Sequence, residues 1–306
     1  MTLVFMGTSD FACHCLAGLR DGGFMPDLVI TRPDRYAGRN RRLSSPPVKK
    51  WALQHGVEVW QPENINSGAS VARLEALKPD LFVVAAYGKI LSPKVLAVPR
   101  LGAVNVHASL LPDLRGAAPI EWAIILGYTE TGITTMFMDA GLDTGDIILQ
   151  QPVAIYPEDN GATLRERLGK AAQILLPETV RLVLDGKAPR IPQPPGEYTY
   201  APALSEGLEK IDWQKPARDI ANLVRALAPK PGCYCIFRQK RLKILRAALH
   251  SGQASPGLAI IENKKLLAGT GRDLLHLLEV QPEGKRPMSA QDFINGYRLQ
   301  EGEIFQ

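Results

Sequence analysis

Two polar side chains stand at the end of an otherwise apolar stretch, AVNVHAS, at residues 103–109. Asn105 and His107 are two positions apart, so on an extended strand their side chains lie on the same face. An amide N–H and an imidazole N–H can both donate hydrogen bonds to an oxygen that gains negative charge during a reaction. The pair therefore indicates a candidate oxyanion site, and the alternative is a purely structural pair.

A third group that could orient the imidazole occurs in AGLDTGDI, at residues 140–147. This stretch places Asp143 and Asp146 on a glycine-containing turn between two predicted strands. Loops on a rigid sheet commonly carry catalytic groups, so an aspartate here could hold the imidazole and balance its charge. The alternative is a turn whose carboxylates only bind backbone N–H groups, and neither motif decides the matter alone.

The elements that must position these motifs alternate between strands and helices. Nearly continuous apolar runs at 3–7, 28–31 and 81–88 are typical of parallel strands that are covered on both faces. Helices are predicted from near Ser9, over 48–55 and after Thr163. This alternation predicts an open, mostly parallel, Rossmann-like α/β sheet. The stretch MGTSDF has one glycine where the dinucleotide motif has three, and the chain has no Walker A motif, so NAD and ATP are not expected.

The composition changes after residue 187. Residues 188–205 are rich in proline and lack periodicity, which predicts an extended linker. Beyond the linker, short β-like segments recur, including CYCIF, RLKILRAAL, GLAIIE, KLLAGT and LLHLLEV, and a helix follows from about Ser289. We therefore predict a catalytic domain at 1–187, a linker at 188–205, and at 206–306 a C-terminal domain with an OB-like β-barrel.

Positive charge is concentrated in two parts of the chain. The net charge is +5, and residues 206–306 account for all of it, with 16 basic against 11 acidic residues. Residues 1–205 carry equal numbers of basic and acidic residues. Within them, however, residues 32–46 hold five arginines and a single acid, Asp34. This asymmetry favours a polyanionic partner such as nucleic acid, and the alternative is a solvated run of charge.

The cysteines and the N-terminal segment bear on metals and localisation. The four cysteines form two C-x-C pairs, whereas zinc sites use C-x₂₋₄-C with matched partners, so we expect buried thiols and no metal. The start, MTLVFMGTSDF, lacks the basic region of a signal peptide. No apolar run is long enough to span a membrane. A cytoplasmic protein is expected.

The two motifs together resemble the family of formyltransferases that use N10-formyltetrahydrofolate. The resemblance is carried by NVHASLLPDLRGAAPIEWAI followed by ETGITTMFMDAGLDTGDII. The segments FMGTSDFA, RPDRYAGRNRRLSSPPVK, VVAAYGKIL, KIDW and MSAQDF extend it over nearly the whole chain, and they resemble the members that act on methionyl-tRNA. The chain departs from the family pattern at Ser9, Asp113, Ala203 and Glu206.

The resemblance implies an enzyme that transfers the formyl group of N10-formyltetrahydrofolate, a cosubstrate, to the α-amino group of initiator methionyl-tRNA for translation initiation. It implies that Asn105 and His107 stabilise the oxyanion, while Asp143 orients the imidazole and helps to remove the amine proton. The implied folate-binding segment is Ser109, Leu110, Leu111 and Pro112. The resemblance and the charge pattern together predict these tRNA-binding residues: Arg39, Arg41, Arg42, Arg238, Lys240, Arg241 and Lys243. We expect a monomer without metal.

Two other functions are compatible with the same motifs. Sugar-nucleotide formyltransferases and formyltetrahydrofolate hydrolases share the three catalytic residues, but a small acceptor does not need the arginine-rich stretch at 32–46. A non-catalytic RNA-binding protein with this fold is the second alternative. The intact set of Asn105, His107 and Asp143 argues against it.

Overall fold

A computed structural model of the chain describes residues 1–37, 42–196 and 198–306. The described residues form two compact units, and neither is a single continuous segment. The first unit comprises residues 1–119, 130–154 and 165–202, and the second comprises residues 120–129, 155–164 and 203–306.

A seven-stranded sheet forms the centre of the first unit. Its strands are β1 (Leu3–Gly7), β2 (Leu28–Ile30), β5 (Glu58–Trp60), β6 (Leu81–Ala85), β7 (Ala103–His107), β8 (Glu130–Phe137) and β9 (Ile147–Ala154). The strand order is β5-β2-β1-β6-β7-β8-β9. The first five strands are parallel, while β8 runs antiparallel to both β7 and β9. The predicted mostly parallel, Rossmann-like sheet is confirmed.

The strands in the middle of this sheet have little polar character because both of their faces are covered. Every residue of β1, LVFMG, and of β6, LFVVA, is buried. The helices of the first unit are α1 (Asp10–Asp21), α2 (Pro47–Gln54), α3 (Gly68–Leu77), α4 (Pro93–Leu96) and most of α6 (Gly161–Leu184), whereas α5 (Pro119–Ile125) lies almost wholly in the second unit. Ser9, which departs from the family pattern, is the N-cap residue of α1.

Residues 32–47 have no hydrophobic periodicity, which predicts a loop without regular structure, but they contain a short hairpin. Strands β3 (Arg35–Ala37) and β4 (Arg42–Ser44) pair antiparallel, with Tyr36 opposite Leu43. Each strand has three residues, which is too short for an alternating apolar pattern to be recognised in the sequence. The prediction of a structureless loop is therefore wrong for these two strands.

An antiparallel sheet forms the centre of the second unit. Its elements are α7 (Ala217–Leu227), β10 (Cys233–Phe237), β11 (Lys240–His250), β12 (Ala259–Glu262), β13 (Lys265–Gly269), β14 (Leu274–Pro282), β15 (Met288–Ser289) and α8 (Ala290–Tyr297). The strand order is β10-β11-β14-β13-β12, with β15 paired to β14. Among the described strands β10 and β12 do not pair with each other, so these strands alone do not close the OB-like barrel that we predicted.

The last residues of the chain occupy the space between the two end strands of this sheet. The backbone of Gln306 exchanges two hydrogen bonds with Ile236 of β10. Phe305 N–H donates to Gly257, and Ala259 N–H at the start of β12 donates to Glu303. The tail therefore supplies backbone partners to both edges, which would otherwise expose unpaired groups.

Aromatic side chains fill the core of the second unit. Phe237 packs against Phe293 and Phe305, and Phe305 also contacts Trp213. The thiols of Cys233 and Cys235 are buried in this core, and burial raises the pKa of each thiol to about 12. Within the part of the chain that the structure describes, no helix is both long and apolar enough to cross a bilayer.

Candidate active site

Asn105 and His107 lie at the carboxyl end of β7, between the parallel strand β6 and the antiparallel strand β8. Asn105 is opposite Met136 and His107 is opposite Thr134 in the pairing with β8. Because they are two positions apart on one strand, their side chains lie on the same face of the sheet. His107 is 5% exposed, whereas Asn105 is half-buried. The surroundings therefore fix the imidazole more tightly than the amide.

The carboxylate of Asp143, from the segment between β8 and β9, brings the two side chains together. Asn105 Nδ2 donates to Asp143 Oδ1 over 3.3 Å, and His107 Nδ1 lies 3.7 Å from Asp143 Oδ2. The second distance is longer than an N–H···O hydrogen bond, and such catalytic contacts commonly shorten when substrate binds. The other aspartate of this turn, Asp146, instead lies 3.5 Å from the guanidinium of Arg190.

A backbone carbonyl defines which nitrogen of His107 carries hydrogen. His107 Nε2 lies 3.0 Å from the carbonyl oxygen of Leu114, and a carbonyl oxygen can only accept a hydrogen bond. Nε2 is therefore protonated and donates to Leu114. Nδ1 is the ring nitrogen that remains for chemistry, and it is also the one nearest Asp143.

The segment Ser109–Pro112 directly follows β7 and alternates between buried and accessible side chains. Ser109 and Leu111 are buried, whereas Leu110 and Pro112 retain exposed surface. Thr134 Oγ1 donates to the carbonyl of Ser109, which anchors the segment to β8. This arrangement fits a flat heteroaromatic ring, because Leu110 and Pro112 can offer apolar surface while the backbone stays fixed. Nearby in sequence to Asp143, Leu142 is 57% exposed and adds apolar surface.

Gly116 donates a backbone hydrogen bond within the site, and its backbone has a conformation that favours glycine. Its N–H donates to Asp143 Oδ2 over 2.9 Å, and its φ angle is 126°. A Cβ atom added here would lie 2.5 Å from the carbonyl oxygen of Ala201. That oxygen already accepts the N–H of Ala118, so the local backbone cannot easily move aside.

We expect Gly116→Ala to lower both stability and turnover. Holding alanine at this φ angle costs about 1–3 kcal/mol, and displacement of the N–H from Asp143 is expected to slow turnover by up to about 10²-fold. Gly186→Ala is the matched control, because Gly186 has φ 68° and open space around its missing Cβ. Denaturant unfolding and kcat of both variants check this. Equal turnover in the two alanine variants would contradict it.

The predicted linker packs against the first unit and reaches the site. Ile191 and Ile147 exchange two backbone hydrogen bonds. Gln193 Nε2 donates to the carbonyls of Asp143 and Gly145, over 2.8 and 2.9 Å. Sequence analysis missed Gln193, because a lone glutamine among prolines carries no chemical pattern and lies 50 residues from Asp143.

Asp113 takes part in the same attachment of the linker. Its Oδ1 accepts hydrogen bonds from the backbone N–H of Thr199 over 3.1 Å and from Thr199 Oγ1 over 3.0 Å. The N–H of Leu114 donates back to Thr199 Oγ1 over 3.1 Å. The acid that departs from the family pattern therefore fixes residue 199 beside the loop that holds His107.

The base of the β3–β4 hairpin is fastened by Asp34. Its carboxylate accepts hydrogen bonds from Lys49 Nζ over 2.7 Å, Gln61 Nε2 over 2.8 Å and Ser45 Oγ over 3.1 Å. Chiefly because of the Lys49 hydrogen bond, the pKa of Asp34 lies below its usual value. The single acid of residues 32–46 is thus already paired. Of the predicted tRNA-binding residues here, Arg42 begins β4, while Arg39 and Arg41 lie outside the described residues.

The basic residues predicted in the second unit differ in their surroundings. The two-residue spacing of Arg238 and Lys240 predicts one shared strand face, but this prediction is wrong, because Arg238 lies in the turn before β11 with φ 46°. Its guanidinium binds both carboxylate oxygens of Glu303, over 2.7 and 2.8 Å. Lys240 and Arg241 are exposed, and Lys243 Nζ donates to the carbonyl of Pro231. Arg241 and Lys243 lie on one face of β11, opposite buried Leu242 and Ile244.

The thiols and carboxylates do not gather into a metal site in the described residues. No group of three or more His, Cys, Asp or Glu side chains in residues 1–37, 42–196 and 198–306 could hold a metal ion. In the first unit, burial and the nearby Asp10 carboxylate raise the pKa of the Cys13 thiol to about 11. A thiol with a raised pKa is a poor nucleophile and a poor metal ligand.

Comparisons with known proteins identify relatives along the whole chain. The sequence model described as "Formyl transferase" matches residues 1–180, and that of the "Formyl transferase, C-terminal domain" matches residues 204–298. A methionyl-tRNA formyltransferase of Caldanaerobacter subterraneus is 44% identical over 309 residues, which covers 100% of both chains. One of Thermodesulfovibrio yellowstonii is 44% identical over 300 residues, covering 98% of this chain and 97% of the relative.

A solved structure supports the fold. The N-formyltransferase of Helicobacter canadensis, in complex with folinic acid and dTDP-3-aminofucose, superposes with a TM-score of 0.69. It is 19% identical, and the match covers 92% of this chain and 99% of that chain. At this identity the likeness concerns the arrangement of the elements.

Proposed function

The chain belongs to the formyl transferase family, and we propose that it transfers the formyl group of N10-formyltetrahydrofolate to the α-amino group of methionyl-tRNA. The relatives named methionyl-tRNA formyltransferase match it from end to end. The observation that carries the proposal is the meeting of Asn105 and His107 around the carboxylate of Asp143, at the carboxyl end of β7. The product, formylmethionyl-tRNA, serves translation initiation.

In this mechanism the main task of the site is to stabilise negative charge. The pKa of a free α-amino group is about 7.7–8.0, and the neighbouring ester lowers it, so the amine is readily available as a nucleophile. Its attack on the formyl carbon produces a tetrahedral oxyanion. Collapse of this oxyanion breaks the bond between the formyl carbon and N10 and releases tetrahydrofolate, and N10 takes up a proton in place of the one that the amine loses. Asn105 Nδ2 has a second N–H besides the one that meets Asp143, and this N–H donates to the oxyanion.

The geometry of His107 adds a condition on its role. Nε2 already donates to Leu114, so donation from Nδ1 to the oxyanion requires a ring that is protonated at both nitrogens. The nearby negative charge of Asp143 stabilises that cation. Asp143 also takes up the proton that the amine loses, either directly or through water.

Folate is proposed to bind along Ser109, Leu110, Leu111 and Pro112. The partly exposed side chains of Leu110 and Pro112 support this, since a pterin ring needs a flat apolar surface beside fixed polar groups. Gln150 Nε2 and Thr134 Oγ1 hold the carbonyl and N–H of Leu111, which fixes the backbone beneath this apolar surface. The cosubstrate supplies the activated formyl group, and the chain supplies its orientation.

The tRNA is proposed to bind through phosphate contacts from both units. In the first unit these come from Arg39, Arg41 and Arg42, whose only acidic neighbour in residues 32–46 is held by Lys49. The residues proposed in the second unit are Arg238, Lys240, Arg241 and Lys243. Arg238 must exchange the two carboxylate oxygens of the half-buried Glu303 for a phosphate, whereas Lys240 and Arg241 are exposed. We propose a monomeric cytoplasmic enzyme with a catalytic domain at 1–187, a linker at 188–205 and a tRNA-binding domain at 206–306.

A direct assay tests the proposed reaction. The purified protein is incubated with labelled formyltetrahydrofolate and methionyl-tRNA, and the product is analysed for formylmethionine. An amino-sugar nucleotide is offered in a parallel reaction as the competing acceptor. Formylation of the sugar nucleotide alone would overturn the proposal, and the absence of any formyl transfer would favour a non-catalytic RNA-binding protein.

We expect Arg39→Ala to impair the use of tRNA far more than the binding of folate. The guanidinium can hold a phosphate with two parallel hydrogen bonds, which neither alanine nor lysine reproduces. The variant should therefore raise KM for methionyl-tRNA while leaving KM for the folate near its normal value. Steady-state kinetics with each substrate varied in turn measures both constants.

Limited trypsin digestion checks the same contact independently. We expect cleavage of the free enzyme first between Arg35 and Arg42, and protection of those bonds by saturating methionyl-tRNA. An unchanged cleavage rate in the presence of tRNA would show that residues 32–46 do not grip it.

A further inference from the structure

Gln193 is an exception within an exposed, proline-rich stretch. Its side chain is half-buried, while its neighbours Pro192 and Pro194 are exposed. The amide lies between two groups that face it from opposite sides. Arg115 contacts its oxygen, and the backbone of the Asp143–Gly145 turn contacts its nitrogen.

Arg115 is buried, with 5% exposed, and its charge is matched by dipoles and an aromatic ring. Among the described residues its guanidinium has no salt bridge to a carboxylate. Its Nε and Nη2 both donate to Gln193 Oε1, over 3.1 and 2.5 Å. The guanidinium carbon also lies 3.8 Å from the ring centroid of Tyr198. Burying a charged guanidinium costs free energy, and here a single amide oxygen is its hydrogen-bond acceptor. This cost indicates that the contact does more than fill space.

The neighbours of the Gln193 amide determine where its oxygen and its nitrogen must lie. Arginine can only donate hydrogen bonds, so it requires the amide oxygen. The carbonyls of Asp143 and Gly145 can only accept, so they require the amide nitrogen, which has two hydrogens for them. Both sets of contacts therefore require the same orientation of the amide.

The turn that Gln193 holds has an unusual backbone conformation. Asp143 has φ 54°, in the left-handed region that residues other than glycine seldom adopt. At Gly145 a Cβ would collide with the carbonyl oxygen of Phe137, so the chain there is closely packed as well. Such a conformation persists only where surrounding contacts enforce it.

We propose that Gln193, oriented by Arg115, is a positioning residue for Asp143, so that the linker sets the geometry of the catalytic carboxylate. The inference rests on the proposed formyl transfer, in which Asp143 holds His107 and accepts a proton. Gln193 itself touches no reacting atom. Its two donated hydrogen bonds keep the carbonyls of Asp143 and Gly145 in place, and the side chain of Asp143 is thereby directed at Asn105, His107 and Gly116.

Two substitutions at Gln193 separate positioning from packing. Gln193→Glu keeps the shape and the acceptor for Arg115 but directs an oxygen at two carbonyl oxygens. Gln193→Ala removes both sides of the contact. We expect kcat to fall about 10–10²-fold in both variants, with at least as large a loss in the nearly isosteric glutamate variant. KM for the folate and for methionyl-tRNA should change less than kcat.

Gln54→Ala on α2 is the matched control, because Gln54 is exposed and distant in sequence from the site. The pH dependence of kcat is measured alongside, and we expect it to change in the two Gln193 variants and not in the control. If the Gln193 variants had a lower melting temperature but a normal kcat, the proposal would be overturned, because Gln193 would then contribute only to packing. So would a glutamate variant as active as wild type. An inactive wild-type enzyme would instead remove the proposed function, so the two failures are distinguishable.

Discussion

His107→Ala and Asp143→Ala are expected to lose most formyl transfer while both proteins remain folded. Removal of one oxyanion donor commonly costs on the order of 10²–10³ in rate, and Asn105→Ala should fall in that range. The losses at His107 and Asp143 should be at least as large, because each contacts the other as well as the reacting groups. Single-turnover formylation of methionyl-tRNA measures these effects without interference from product release.

Conservative variants at the same positions distinguish charge from shape. Asp143→Asn keeps an oxygen that can accept the N–H of Gly116, but it removes the negative charge that lies 3.7 Å from His107 Nδ1. Asn105→Asp places a second carboxylate 3.3 Å from Asp143 and removes a donor. We expect both to be nearly as slow as the alanine variants. Near-normal turnover in a folded His107→Ala or Asn105→Ala enzyme would eliminate the oxyanion mechanism.

The affinity for methionyl-tRNA is expected to fall on the order of 10³-fold when salt is raised from about 50 to about 200 mM. This is the loss anticipated for roughly six or more phosphate contacts, each of which releases a counterion from the nucleic acid. Seven basic residues are proposed for this role: Arg39, Arg41, Arg42, Arg238, Lys240, Arg241 and Lys243. Filter binding or fluorescence titration over a salt series gives the slope of the logarithm of the affinity against the logarithm of the salt concentration.

The controls for the salt dependence lie within the same protein. Folate is proposed to bind on the apolar surface of Leu110 and Pro112, so its affinity should change little over the series. Arg241→Ala and Lys240→Ala, which remove exposed charges, should each make the slope shallower by about one. A tRNA affinity that is insensitive to salt would show that phosphate contacts do not dominate binding.

The parts of the site that were predictable from sequence obey short, regular spacings. The two-residue period of a strand placed Asn105 and His107 on one face, and β7 has that geometry. The buried runs at β1 and β6 were recognisable because a covered parallel strand tolerates few polar residues. Asp143 was recognisable because a turn between two strands returns the chain to the end of the sheet.

The parts that were not predictable depend on contacts between distant residues. Gln193 and Asp143 are 50 residues apart, and Arg238 and Glu303 are 65 apart, so no local pattern announces either pair. The protonation of His107 at Nε2 follows from the carbonyl of Leu114, which only the folded loop brings within 3.0 Å. The tail's pairing with the edge strands β10 and β12 was not predictable, because the tail has no strand signal of its own.

The discontinuity of the second unit has a consequence for synthesis on the ribosome. Residues 120–129 belong to that unit, and they include Ile120, Ala123 and Ile124, which are buried in the folded protein. The rest of this unit, residues 155–164 and 203–306, is made later. At roughly 5–20 residues per second, Phe293 of the core of the second unit follows residue 129 by about 10 to 30 s. During that interval the second unit lacks most of its residues, so its folding can be completed only after its C-terminal part has been made.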